Sequence, residues 1–186
     1  DSEGAQIRTS KISGGIKNLI TNKTIKINKS NEINANITLL PKDIYKNLRK
    51  NDTLSIDFNS AVVKIIKETK GYFECKVLQG GAIGSNKSIS VDRDIKIPPF
   101  TNKDLKAFSI GEKLKIKNYA LSFTSKASDV IKLRNMFKNK ITITSKIESK
   151  KGLRNLKEIL YEADNILIDR GDLSKEIPLH DIPKKQ

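Results

Sequence analysis

The first half of the chain alternates between apolar and polar positions. In "TIKINKS" (24–30) Ile25 and Ile27 are separated by polar residues. In "TLSIDFNSAVVKII" (53–66) Leu54, Ile56 and Phe58 alternate, the pattern breaks at Asn59-Ser60, and a Val/Ile run follows. A period of two on both sides of a polar break predicts a hairpin. "YFECKVLQGGAIGS" (72–85) places Phe73, Cys75 and Val77 on one face and then stops at Gly80-Gly81. The stretch "PKDIYKNL" (41–48) reads as a short helix. Together these segments predict a small antiparallel β domain.

After Pro98-Pro99 the rhythm changes. "TNKDLKAFSIGEK" (101–113) opens with Thr101 and Asp104 at capping spacing and reads as a helix. "YALSF" (119–123) is a short buried-strand run. "SDVIKLRNMFKN" (128–139) carries a helical stripe of Val130, Leu133, Met136 and Phe137. "ITITSKI" (141–147) reads as a strand, and "GLRNLKEILYEA" (152–163) as a helix with Leu153, Leu156, Ile159 and Leu160 on one side. "NILI" (165–168) is another strand. Helices and strands alternating at short spacing predict right-handed βα units around a parallel sheet. Three such strands are too few to cover both faces, so the pattern predicts an α/β fold, part of a (β/α)8 TIM barrel, interrupted by the β domain.

Composition narrows the function classes. The chain has 186 residues, 37% of them hydrophobic and 31% charged, which suits a globular protein. No apolar run approaches the roughly 20 residues of a membrane span, so no membrane partner is expected. The single cysteine, Cys75, cannot pair within the chain, which favours a reducing compartment. The formal charge of +15 raises nucleic acid as a partner. The lysines are scattered, however, and no aromatic-rich RNA-binding pattern accompanies them. That argues against nucleic acid and for a solvated surface plus an anionic small-molecule site. The sequence opens at Asp1 without Met and ends in "DIPKKQ", so it is expected to be a piece of a longer chain.

In parallel β/α folds the site lies at the carboxyl ends of the strands. Lys146 and Glu148 follow "ITITS" one residue apart, so they point the same way. Asp169, Arg170, Gly171 and Asp172 follow "NILI", and Thr124 and Ser125 follow "YALSF". The Arg170-Gly171-Asp172 triplet admits three readings: an adhesion ligand, an inert surface turn, or the mouth of a site where Asp172 holds a metal. The cysteine-poor composition weighs against adhesion. Two carboxylates on successive strand ends, with a lysine beside them, suit a Mg²⁺ that bridges a phosphorylated anion. Taken singly, each of these residues is equally a capped loop residue or a surface ion pair.

"TSKIES" (144–149), "GLRNLKEILYEAD" (152–164) and "RGDLSKEIP" (170–178) resemble pyruvate kinase. So do "DSEGAQIRTS" (1–10), "CKVLQGGAIGSNKSI" (75–89), "IKIPPFTNKD" (95–104) and "ALSFTSKASDV" (120–130), in the family's order. The resemblance implies a barrel strand segment at 1–10, an inserted β-barrel lid domain at 11–95, and a barrel continuation, incomplete at its C-terminus, at 96–186. About four barrel strands would then be present. It implies transfer of the phosphoryl group of phosphoenolpyruvate to ADP, giving pyruvate and ATP. Lys146 would neutralise charge on the phosphoryl group and the enolate. Glu148 and Asp172 would hold Mg²⁺ or Mn²⁺. The backbone N–H groups of Gly171 and Asp172 would cradle the substrate carboxylate. Arg8 would clamp the phosphate with Lys87 near it, and Asp1 and Ser2 would serve K⁺. The resemblance also implies a homotetrameric parent, cytoplasmic or organellar (such as a plastid).

This sequence departs from the family pattern in five places. Gln6 stands where many members have Glu, and "SIDFNS" (55–60) where the lid has Asp-Asp-Gly, so that Phe58 replaces the second Asp. "SISVDRD" (88–94) replaces the lid's closing segment, Asp169 replaces a small residue, and Ser174 replaces a glycine. These changes raise a second expectation, a catalytically lapsed paralogue that binds ligand and regulates a partner. His180, Cys75, Met136 and Phe137 are expected to do no chemistry.

Overall fold

The computed structural model describes residues 1–4, 6–29 and 37–185; the Ser30 end of the first expected strand lies outside them. Two compact units emerge, Gln6–Ile97 and Asp1–Ala5 with Pro98–Gln186.

The first unit contains strands β1 (Ile7–Thr9), β2 (Ile16–Leu19), β3 (Thr24–Asn28), β4 (Leu39–Leu40), β5 (Thr53–Ile56), β6 (Ala61–Glu68), β7 (Tyr72–Gln79), β8 (Gly81–Gly84) and β9 (Ser88–Val91). One antiparallel sheet runs β3-β7-β6-β5-β9-β1-β4, and β2 pairs separately with β8. The sheet curls, so that its two ends meet. Asn28, at the end of β3, bridges Thr38, the residue before β4, and its N–H donates to Ile37 O at 2.8 Å. Alternation explains the core: Ile27, Leu54, Ile56, Val63, Ile65, Phe73, Cys75 and Val77 are all fully buried on the concave side. Burying each such aliphatic or aromatic side chain contributes about 1.5–3 kcal/mol.

Three local expectations change here. Phe58 does not continue the alternation; it is 61% exposed in the β5–β6 turn, where Asp57, Phe58 and Asn59 have φ of 50°, 54° and 65°. The strand carrying Phe73, Cys75 and Val77 stops before Gly80 as expected, but the chain resumes as a new strand, β8, at Gly81. The short helix expected at 41–48 is a 3₁₀ turn, Lys42–Lys46. Cys75 lies in the core, and burial pushes its thiol up to about 12. It should therefore resist a thiol reagent in native buffer and react at the rate of a free thiol in denaturant. Rapid native labelling would contradict this placement.

The second unit contains α1 (Asn102–Lys113), β10 (Asn118–Leu121), α2 (Ala127–Arg134), β11 (Thr142–Ile147), α3 (Lys150–Arg154), α4 (Leu156–Glu162), β12 (Asn165–Ile168) and α5 (Arg170–Leu173). Its sheet is parallel, in the order β10-β11-β12. Helix α1 starts where the Thr101 hydroxyl accepts from Asp104 N–H and the Asp104 carboxylate accepts from Thr101 N–H. The core joins Phe108, Leu121, Val130, Leu133, Ile143, Ile147 and Ile159.

Two helices differ from the pattern. The 128–139 helix ends at Arg134, so Met136 and Phe137 lie beyond it. Phe137 packs there on Tyr119, with ring centroids 4.6 Å apart. The 152–163 helix is broken in two at Asn155, whose side-chain N–H donates to Ser125 O at 2.7 Å. Leu160, placed on the buried side by helical spacing, is 54% exposed. Gly152 is required by close packing, because a Cβ there would lie 2.6 Å from Thr124 O.

The 1–10 segment divides between the units. Ile7–Thr9 pairs antiparallel with β4 and β9, whereas Ser2 N–H donates to Ala120 O on β10 at 2.9 Å. Among the described residues no helix is long and apolar enough to cross a membrane. The architecture is mixed α/β, with a curled antiparallel sheet in one unit and a parallel β/α sheet in the other.

Candidate active site

Strand β11 is the middle strand of the parallel sheet, and its period of two sorts the side chains. Ile143, Ser145 and Ile147 are fully buried on one face, and Lys146 emerges on the other near the carboxyl end. Lys146 Nζ lies 2.9 Å from Glu148 Oε1, 3.4 Å from Asp1 Oδ2 and 3.8 Å from Asp169 Oδ2. The Glu148 side chain is 1% exposed and that of Lys146 17%, so this is a largely desolvated ion pair. Glu148 Oε2 also accepts the Phe123 N–H at 2.6 Å. Burial pushes the Glu148 carboxyl above its usual range, while the Lys146 and Phe123 hydrogen bonds pull against that shift. A buried carboxylate held by an ammonium and a backbone donor is a fixed negative charge in a place where water screens little.

The next strand end contributes α5. Asp169 caps it, and its Oδ1 accepts from Gly171 N–H at 3.1 Å and Asp172 N–H at 3.4 Å. Asp172 forms an ion pair with Lys175, three residues on. Glu148, Asp169 and Asp172 each offer one carboxylate oxygen, and these atoms lie within 4.8 Å of one another. Three hard oxygen donors at that spacing fit a hard divalent cation, whose octahedral oxygens sit roughly 3 to 4.2 Å apart. Asp1 and Ser2 are fastened to the end of β10. Asp1 Oδ1 accepts from the Ser122 hydroxyl at 2.8 Å, and Ser2 Oγ accepts from Ser122 N–H at 2.9 Å.

The structure thus brings Lys146, Glu148, Gly171, Asp172 and Asp1 to one place, with Ser2 next to Asp1. Arg8 and Lys87 belong to the antiparallel unit. There Arg8 Nη1 donates to Asn86 O at 3.0 Å, and Lys87 Nζ sits 3.1 Å from Asp57 Oδ2. The Gly171 and Asp172 N–H groups, expected to hold a substrate carboxylate, both donate to Asp169 instead. His180 is exposed, with Asp181 3.8 Å away.

Sequence reasoning missed Lys175, although its i,i+3 spacing from Asp172 was a usable signal. It placed Asp169 at a strand end and marked it as a departure from the family pattern, but gave it no role. The Asp1–Lys146 pair joins residues 145 positions apart, which no local pattern reveals.

Residues 1–186 match the family model described as pyruvate kinase, barrel domain. The chain is similar to pyruvate kinase of Clostridium perfringens, 30% identical over 98% of this chain and 40% of that protein. It is 32% identical to pyruvate kinase of Thermotoga maritima over 81% of this chain and 32% of that protein. Pyruvate kinase of Encephalitozoon cuniculi is 32% identical over 86% of this chain and 39% of its own length. The chain therefore spans well under half the length of these relatives.

Proposed function

The chain belongs to the pyruvate kinase family, and from that premise we propose that it is the central part of an enzyme that moves the phosphoryl group of phosphoenolpyruvate to ADP. The parallel unit would form strands of a (β/α)8 barrel, and the antiparallel unit its lid. The observation that carries this reading is the desolvated Lys146–Glu148 pair at the end of β11, 2.9 Å apart beside Asp172.

Phosphoryl transfer asks the protein mainly for position and positive charge. Lys146 supplies the charge. Its ammonium, oriented by Glu148 and Asp1, is placed to neutralise the moving phosphoryl group and then the enolate oxygen. Glu148 and Asp172 would hold a Mg²⁺ or Mn²⁺, whose Lewis acidity would supply further positive charge for the phosphoryl group. A substrate carboxylate would take the Gly171 and Asp172 N–H groups over from Asp169. By family resemblance Arg8 and Lys87 would contact phosphate oxygens, and Asp1 and Ser2 would serve a K⁺.

The test is an assay of the protein at its natural length with phosphoenolpyruvate, ADP and Mg²⁺, with and without K⁺. Pyruvate formed in proportion to enzyme supports the reading; none under any of these conditions removes it. A second reading, a lapsed paralogue that binds ligand without turnover, draws on the β5–β6 turn. There Phe58 stands at the tip and Asp57 holds Lys87. It predicts that phosphoenolpyruvate raises the thermal midpoint while no pyruvate appears.

A further inference from the structure

Asp169 is the part of the cluster that the proposed reaction does not use. Its carboxylate is oriented by two backbone donors, since Oδ1 accepts the N–H groups of Gly171 and Asp172 at 3.1 and 3.4 Å. Its other oxygen is turned towards Lys146, 3.8 Å away, the same ammonium that Glu148 holds at 2.9 Å. Glu148, Asp169 and Asp172 then present three oxygens within 4.8 Å of one another. Lys146 and Lys175 balance two of the three negative charges. Asp1, 3.4 Å from Lys146, adds a further carboxylate, so negative charge is in excess here and favours an added cation.

We propose that Asp169 is a third carboxylate of the divalent-cation site, one that tightens cation binding before any substrate arrives. This rests on the reading of Glu148 and Asp172 as the metal-holding pair. Mg²⁺ and Mn²⁺ are ordinarily held by one or two carboxylates, with water and substrate oxygens filling the remaining positions. A third carboxylate adds attraction for the cation and removes one position that water would hold. It also places negative charge where an anionic substrate must approach. Asp169 therefore shifts the balance of this site towards cation first, anion second.

The experiment is a Mn²⁺ titration of the protein at its natural length, without substrate, reading free Mn²⁺ by electron paramagnetic resonance. Wild type, Asp169→Asn and Asp172→Asn are compared. Asparagine keeps an Oδ1 for the two backbone donors, so the cap of α5 survives, and the metal-free thermal midpoint of Asp169→Asn should match wild type. Its Mn²⁺ affinity should fall about ten- to a hundredfold, the range that losing a metal-site partner produces. Water-proton relaxation should also show one more water on the bound Mn²⁺. Binding unchanged in Asp169→Asn but lost in Asp172→Asn overturns the proposal and leaves the metal-holding pair intact. Binding unchanged in both variants overturns the pair and the proposal together.

Discussion

Under the proposed phosphoryl-transfer reading, Lys146→Met is expected to lower the rate of pyruvate formation by about a thousandfold or more while the fold persists. Methionine has nearly the length of lysine, so packing beside β11 changes little. What disappears is the Lys146 ammonium, which lies within 4 Å of Glu148, Asp1 and Asp169. Binding of ADP should change far less than turnover, since the lost charge acts on the group in flight. The assay is pyruvate formation coupled to lactate dehydrogenase, with circular dichroism as the fold check. Turnover in the variant close to wild type would sink the assignment.

The same variant makes a second, thermodynamic statement. Without its ammonium partner, buried Glu148 is easier to keep as the neutral acid, and its carboxyl rises further above the usual range. A group that holds its proton more tightly folded than unfolded makes stability fall as pH rises from the unfolded value, about 4.3, towards the folded one. The thermal midpoint of Lys146→Met should therefore drop more than that of wild type as pH rises from about 4.5 to 7. Equal pH profiles for the two proteins would show that the pair carries no such linkage.

Asp104→Ala is expected to cost about 3 kcal/mol of stability. Asp104 is 3% exposed and accepts three backbone donors: Glu3 N–H at 2.6 Å, Thr101 N–H at 2.9 Å and Gly4 N–H at 3.3 Å. Alanine removes the acceptor from all three, and each buried donor left unpaired costs about 1–3 kcal/mol before water reaches it. The loss also reaches the site, because residues 1–4, carrying Asp1 and Ser2, are fastened to α1 by this carboxylate. Asp43→Ala is the control. Its ion pair with Lys46 is exposed on both sides, so its effect should stay within about 0.5 kcal/mol. Urea unfolding of the two variants gives the comparison. An Asp104→Ala midpoint equal to wild type would show that water replaces the carboxylate without cost.

Much of this molecule was legible in its sequence. Alternation marked Ile27, Leu54, Ile56, Phe73, Cys75 and Val77 as core, because a strand in a sheet with one covered face has no other way to bury them. The Thr101/Asp104 cap was readable because capping is local chemistry. The β/α alternation pointed to the parallel sheet, and the strand ends to Lys146, Glu148 and Asp172, because side chains two apart on a strand share a face.

Other features were decided only in three dimensions. Phe58 has the spacing of a core residue but turns outward, because Asp57–Asn59 takes the left-handed conformation of the hairpin turn. The 152–163 helix breaks at Asn155, whose side chain is engaged by Ser125 O from the loop between β10 and α2. Asp1 reaches Lys146 across 145 positions, and Asp169 caps α5 in the place where the family pattern has a small residue. By itself the sequence determined most of the inward-facing strand positions and which carboxylates reach the strand ends, since the period of two is set by the backbone alone. Only the tertiary structure decided that Asp1 and Asp169 meet Lys146, since those contacts bring separate chain segments within 4 Å and no local pattern records that distance.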